Sequence, residues 1–174
     1  MTNERLLIDD FGSGDGVSPL GTAWQGFTDQ VMGGRSDMQA GYRESNGENS
    51  MFMRGEVRLE NNGGFIQVRL PLVEHGSFDA STWDGIRIHV RALPGPYFVH
   101  LRTRDTRQPW AYYRAPIPVS DEWSAVVIPF SGFQPESLVA DLDLTALRSI
   151  GLVAYGEKFS AELEVARIEL LRIE

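Results

Sequence analysis

The chain has 174 residues, 42% hydrophobic and 10% aromatic, enough apolar material for a packed core and too much for disorder. Sixteen Lys and Arg stand against 24 Asp and Glu, and the net charge of −8 argues against a general nucleic-acid or anionic-membrane binder, because phosphate affinity needs concentrated positive charge. With no cysteine, disulfides, iron–sulfur clusters, thiolate zinc and a thiol nucleophile are excluded.

The opening Met1-Thr2-Asn3-Glu4-Arg5 has neither a secretory apolar region nor the Arg/Ser-rich character of an organelle transit peptide, so the expected address is cytoplasmic. No later run approaches the ~18 apolar residues of a membrane helix. From Leu6 onward the recurring pattern is alternation with period two, the signature of half-buried strands. Leu6, Ile8 and Asp10 open a first strand. Met51 to Glu60 places Met51, Met53, Gly55, Val57 and Leu59 on one side and Arg54, Glu56, Arg58 and Glu60 on the other. Gly64 to Leu70 turns Ile66, Val68 and Leu70 inward and Gln67 and Arg69 outward. The intervening Asn61-Asn62-Gly63 predicts a hairpin turn, since Asn-Gly tolerates positive φ. Ile86, Ile88 and Val90 alternate with Arg87, His89 and Arg91; Tyr97, Val99, Leu101 and Thr103 alternate with Phe98, His100, Arg102 and Arg104. Segments 111–119, 123–130, 149–155 and 163–173 complete about ten strands, and Asp141 to Arg148 holds the one short helical turn. Short strands with polar outer faces need two sheets packed together, so the fold class is an all-β sandwich forming a single domain over 1–174.

Two glycine-centred signatures stand out: Trp24-Gln25-Gly26-Phe27-Thr28-Asp29-Gln30-Val31-Met32-Gly33-Gly34-Arg35-Ser36 and Asn61-Asn62-Gly63-Gly64-Phe65. With Trp83-Asp84-Gly85-Ile86 and Ile128-Pro129-Phe130-Ser131-Gly132-Phe133, they resemble the complex I intermediate-associated protein 30 family from about Leu7 to Ile173. The resemblance implies a jelly-roll of the galactose-binding-domain-like type, in which the first and last strands (Leu6 to Asp10 and Val165 to Leu171) lie side by side. It also implies a non-catalytic, chaperone-like assembly factor for the respiratory NADH–quinone oxidoreductase, with that complex's subunits or another protein as client; the expected lack of the import segment that mitochondrial members carry fits a bacterial member. A jelly-roll carbohydrate-binding module is the alternative, with Trp110, Tyr112 and Tyr113 as stacking platforms beside Arg102 and Arg114. A carboxylate-dependent glycoside hydrolase is a remote third reading, since two carboxylates suffice for that chemistry.

Several chemistries lack their parts. Gly12-Ser13-Gly14-Asp15-Gly16 precedes no helix that would aim its N-terminus at a phosphate. His75, His89 and His100 have no zinc-ligand spacing, although His89 and His100 would meet if their strands were neighbours. No Gly-x-Ser-x-Gly elbow occurs. No cofactor is expected, and the sole metal candidate is a structural calcium at Asp9, Asp10 and Glu169, oxygen ligands near strand ends.

Two binding candidates remain. The first is the outward set Arg87, His89, Arg91, Phe98, His100, Arg102, Arg104, Tyr112 and Arg114, which forms a cationic, aromatic face if its strands share a sheet. Otherwise these are solvated outer positions on two surfaces. The second is the loop from Trp24 to Ser36: Trp24 and Met32 plug one end of the sandwich or meet a partner, Asp29 and Ser36 satisfy loop amides, and Gly33, Gly34, Asn62, Gly63 and Gly64 shape the turns.

Overall fold

The structure, a computed structural model, describes residues 4–173. In chain order its strands are β1 (Arg5–Asp9), β2 (Gln25–Thr28), β3 (Gln39–Ser45), β4 (Glu48–Val57), β5 (Phe65–Pro71), β6 (Gly85–Ala92), β7 (Tyr97–Thr103), β8 (Tyr112–Pro116), β9 (Ser124–Pro129), β10 (Gln134–Glu136), β11 (Leu147–Tyr155) and β12 (Phe159–Leu171). That is twelve strands rather than about ten, and the expected helical turn is a 3-10 turn at Leu144–Ala146, one of four such turns among the described residues.

Two antiparallel sheets of six strands face one another as a jelly-roll sandwich. The first has the order β3-β4-β12-β6-β9, with β1 also paired to β12; the second has the order β10-β8-β7-β11-β5-β2. First and last strands are neighbours as expected, with Arg5 opposite Leu171 and Leu7 opposite Glu169.

Alternation is what closes the core. Ile86, Ile88 and Val90 of β6 face Val99 and Leu101 of β7, Ile66 and Leu70 of β5 and Leu152 of β11 in one buried cluster. Each such fully buried aliphatic side chain contributes roughly 1.5–3 kcal/mol. β12 keeps an apolar inner face over thirteen residues by changing phase. Leu163 and Val165 point inward, and then a bulge opposite β6 between Val165 and Arg167 hands the inner positions to Ile168 and Leu170. The same bulge puts Glu164 and Glu169 on the outer face, five residues apart.

The hairpin expected at Asn61-Asn62-Gly63 is absent. β4 pairs with β3 and β12 in the first sheet, and β5 pairs with β11 and β2 in the second. The segment is a 3-10 turn at Glu60–Asn62, with Asn61 at φ 58°, that carries the chain from one sheet to the other. The positive φ expected of the Asn-Gly pair falls instead at Asn61, with Gly63 extended at φ −75°, and the strand partners differ as well.

Candidate binding face

The loop between β2 and β3 is organised by one carboxylate. Thr28 caps a 3-10 turn over Asp29–Met32 by accepting from the Gln30 amide, and Gly33 ends the turn at φ 86°, where a side chain would strain. This aims Asp29 inward to 0% exposure. Its Oδ1 accepts from the Ser36 amide at 2.9 Å, and its Oδ2 accepts from Ser36 Oγ at 2.5 Å, the Gly64 amide at 2.6 Å and the Phe65 amide at 3.4 Å. Burial pushes the Asp29 carboxyl up, but these donors together outweigh it and hold the group below the ordinary carboxylate range. A side chain at Gly34 or Gly63 would collide with the same carboxylate. The two glycine signatures are therefore the two halves of one polar knot.

The rest of this loop divides. Trp24 packs against the core and donates Nε1–H to Asp9 Oδ2 at 2.8 Å. Met32 does not plug the sandwich: with Asp29 taking the inward position of the short turn, Met32 is 59% exposed, beside exposed Val31.

The outward Arg/His/aromatic set is split between the sheets, because β6 lies in the first and β7 and β8 in the second. His89 and His100 therefore do not meet. On the first sheet the cations are neutralised in register. Arg91 lies opposite Glu164 and Arg87 opposite Glu169 across the β6–β12 pair. Glu164, 6% exposed, takes Arg91 at 2.6 Å, Ser50 Oγ at 2.7 Å and Arg43 at 3.7 Å. Glu169 takes Arg87 at 2.9 Å and Arg167 at 3.2 Å. Beside this ladder, His89 packs on Trp123 with ring centroids 5.1 Å apart. Two hollows of about 160 and 470 Å³ open on this side, the smaller lined by Arg43, Arg91, Asp121, Glu162 and Glu164.

The second sheet differs. Across its outer face one register row runs Gln134–Arg114–His100–Gly151–Arg69–Gln25, and the next runs Pro116–Phe98–Val153–Gln67–Phe27. His100 is 6% exposed and stacks on Tyr112, centroids 3.9 Å apart with planes at 14°. Phe98 and Tyr155 meet edge to face at 6.2 Å. Burial, reinforced by Arg102, Arg114 and Arg69, pushes the His100 pKa down to about 3, so it is neutral at physiological pH. Burial, together with Arg69, lowers Arg102 to about 10, leaving it charged at neutral pH. Burial beside Tyr155 and Glu136 raises Tyr112 to about 12.

The cations here are poorly matched by acids. Arg114 reaches Glu136 at 3.6 Å, while Arg102 is held by the backbone carbonyls of Gln108 and Pro109 and Arg69 lies 4.8 Å over the Phe27 ring. Arg69 Nε, His100 Nε2 and Arg102 Nε are buried without a hydrogen-bond partner. Among the described residues these are the buried side-chain polar atoms left so, and all three belong to this face. Of the set chosen from sequence, Phe98, His100, Arg102, Tyr112 and Arg114 converge here. Arg104 lies past the end of β7, paired with Asp143 at 3.8 Å.

Sequence reasoning missed Arg69, Gln67, Gly151 and Tyr155 as members of this face. Gln67 and Arg69 were legible as outward-facing, but their proximity to His100 depends on β11 lying between β5 and β7. Tyr113 is not a stacking platform: it points into the core and donates its hydroxyl to the Ala140 carbonyl at 2.7 Å. Trp110, 61% exposed, stands in the loop that holds Arg102.

The calcium candidates are already engaged. Asp9 accepts from Trp24 and from the Phe11 amide, Asp10 accepts from the Gly12 amide, and Glu169 is ringed by arginines. Among the described residues no three His, Cys, Asp or Glu side chains are grouped to hold a metal ion. Burial pushes the Asp9 carboxyl up, but Trp24 covers it rather than opening it to a cleft. No helix among the described residues is long and apolar enough to cross a membrane.

Comparison with solved structures places the fold among carbohydrate-binding modules. A family 11 module from Clostridium thermocellum, solved in complex with a β-1,3-1,4-mixed-linked tetrasaccharide, aligns at a TM-score of 0.74 and 17% identity, covering 99% of this chain and 98% of that one. The family 30 module of the cellulosomal cellulase Cel9D-Cel44B from the same organism aligns at 0.65 and 10% identity, covering 87% and 92%. At such identities the likeness concerns the fold alone. A comparison with curated protein sequences finds no match. The family comparison reaches further: a match to complex I intermediate-associated protein 30 runs over residues 10–165 and takes in both glycine signatures knotted at Asp29. On that extent of agreement, the chain belongs to the complex I intermediate-associated protein 30 family.

Proposed function

We propose that this chain is a single, non-catalytic binding domain that acts as an assembly factor, holding a protein client against the outer face of its second sheet. The reading takes the client to be part of the respiratory NADH–quinone oxidoreductase, in keeping with the family. One observation carries the choice of face: the three unpartnered buried polar atoms of Arg69, His100 and Arg102 lie together on it. An unsatisfied buried donor costs roughly 1–3 kcal/mol. A ligand that brings acceptors recovers that cost on binding, and Tyr112, Phe98 and Tyr155 supply apolar contact around it. The exteriors of the sheets also differ in charge balance, the first self-neutralised and the second not.

The test is the level of assembled NADH–quinone oxidoreductase in a deletion strain. The wild-type chain should restore it, and Arg102→Gln with Tyr112→Ala should not. Unchanged assembly on deletion would refute the reading.

A second reading, a carbohydrate-binding module, draws support from exposed Trp110 beside the same face and from the fold. Titration with mixed-linkage glucan oligosaccharides, followed by tryptophan fluorescence, separates the two. A saturable change favours the sugar, and a flat response favours the client.

A further inference from the structure

The row Arg114–His100–Gly151–Arg69 has a gap in its middle. Gly151 lies opposite His100 on one side and Arg69 on the other, and it contributes no side chain to the outer surface. Adjacent strands are about 4.8 Å apart, so His100 and Arg69 bracket a notch roughly two strand spacings wide. Gln67 leans over the glycine from the next row, its Nε2 standing where a Cβ on Gly151 would come within 2.5 Å. The gap is thus filled by the Gln67 amide and flanked by the Arg69 guanidinium and the His100 imidazole, with Arg102 beside them, so a ligand enters it by displacing that flexible amide.

We propose, building on the client-binding reading, that this notch is a carboxylate site, filled by an acidic side chain of an extended segment of the client. Charge complementarity supports the choice. In a protein of net charge −8, the face concentrates Arg69, Arg102 and Arg114 with Glu136 as the one acid paired there. Arg69 makes no ion pair, and Arg102 is pinned by carbonyls rather than by an acid. Holding guanidinium groups half-buried near one another is unfavourable until an anion arrives, and a pre-oriented planar fork matches a planar carboxylate. Neutral His100, with its proton on Nε2, donates to one carboxylate oxygen while Arg69 donates to the other. A phosphate would bring a third oxygen and a second charge that the notch does not match. Beyond the notch, half-buried Phe98 and Phe27 flank buried Val153 across the sheet, a surface suited to the backbone and apolar side chains of a segment rather than to a free ion.

The probe is an acetylated, amidated heptapeptide of alternating Ser and Glu, titrated into ¹⁵N-labelled protein. The Arg69 and Arg102 Nε–Hε and His100 ring resonances are followed, with a Ser/Gln peptide, inorganic phosphate and trigalacturonate as parallel arms. The Glu peptide should saturate, shift those resonances, and bind at least about tenfold more tightly than the Gln peptide. Arg69→Gln and Arg102→Gln should each weaken it about tenfold or more. Arg54→Gln, on the first sheet, should leave affinity unchanged. Equal binding of Glu and Gln peptides, or unmoved Arg69 and His100 signals, overturns the assignment. Tighter binding of trigalacturonate or phosphate than of the Glu peptide overturns it in favour of those anions. If complex assembly still depends on Arg102 and Tyr112 while the Glu peptide fails to bind, the carboxylate site is wrong and the client-binding reading stands.

Discussion

The carboxylate of Asp29 accepts the Gly64 amide at 2.6 Å across 35 residues of chain, fastening the loop before β3 to the crossover that enters β5. Asp29→Asn keeps the shape but turns an amide donor toward Ser36, Gly64 or Phe65. We expect a loss of about 3 kcal/mol in urea unfolding, because charged acceptors with several donors contribute more than neutral ones. A loss under about 0.5 kcal/mol would mean that the knot does not hold the crossover.

Gly63→Ala should approach the same cost for a different reason. Its added methyl would strike the Asp29 carboxylate and the Glu60 carbonyl, and both are fixed. The measurement is again urea unfolding, paired with loss of hydrogen-exchange protection at the Gly64 amide. Retained protection would show that the loop yields without releasing Asp29.

His100 makes stability depend on pH. Its folded pKa of about 3 lies below the ordinary 6.5, so the fold holds the neutral form. Above pH 6.5 there is no penalty. As pH falls from 6.5 toward 3, the unfolded chain takes up a proton that the folded chain refuses, and stability is lost at about 1.4 kcal/mol per pH unit. Unfolding of His100→Gln between pH 7 and 4 should lack this part of the slope. Identical slopes in wild type and variant would place the His100 pKa near its ordinary value.

Gly151→Ala separates fold from binding. The new methyl meets the flexible end of Gln67, which can swing aside, so stability should change by less than about 1 kcal/mol. The methyl takes the floor of the notch that an entering carboxylate would use, so affinity for the Glu peptide should drop severalfold. Undiminished affinity would show that the notch is not where the ligand sits.

On the first sheet, Arg91→Met leaves Glu164 buried with Ser50 at 2.7 Å and Arg43 at a looser 3.7 Å. Arg91 is partly exposed, so solvent screens the pair and the expected loss is about 1–2 kcal/mol. The loss should shrink in about 1 M salt, which screens a partly exposed ion pair. A salt-independent loss would instead point to the stacking of Arg91 on Trp123, 4.8 Å away.

What the sequence made legible follows from what period two encodes. Alternation assigns each side chain to the inner or outer surface, so Ile86, Ile88, Val90, Val99 and Leu101 were readable as core. It does not say which sheet a strand joins. Hence Asn61-Asn62-Gly63 reads as a hairpin while linking opposite sheets, and alternation leaves open whether Arg87 and Arg102 share one face or lie on two. The neutralisation of Arg87 by Glu169 depends on a register between strands some eighty residues apart, further shifted by the β12 bulge. No local pattern carries that. The glycine pairs were visible as constraints and Asp29 as an acceptor for its own loop's amides, but its reach to Gly64 in the second loop becomes apparent only when both loops stand together.

The pairing of β1 with β12 also governs how the protein can be handled. The Arg172 amide donates to the Glu4 carbonyl at 3.0 Å, so residues near the two ends sit side by side along one edge of the first sheet. A short engineered linker can bridge them, and the chain can be reopened at the Asn46-Gly47 tip between β3 and β4 without moving a core residue. Chain running outward from Glu4 and Ile173 leaves from the first sheet, on the side of the sandwich away from the exterior of the second.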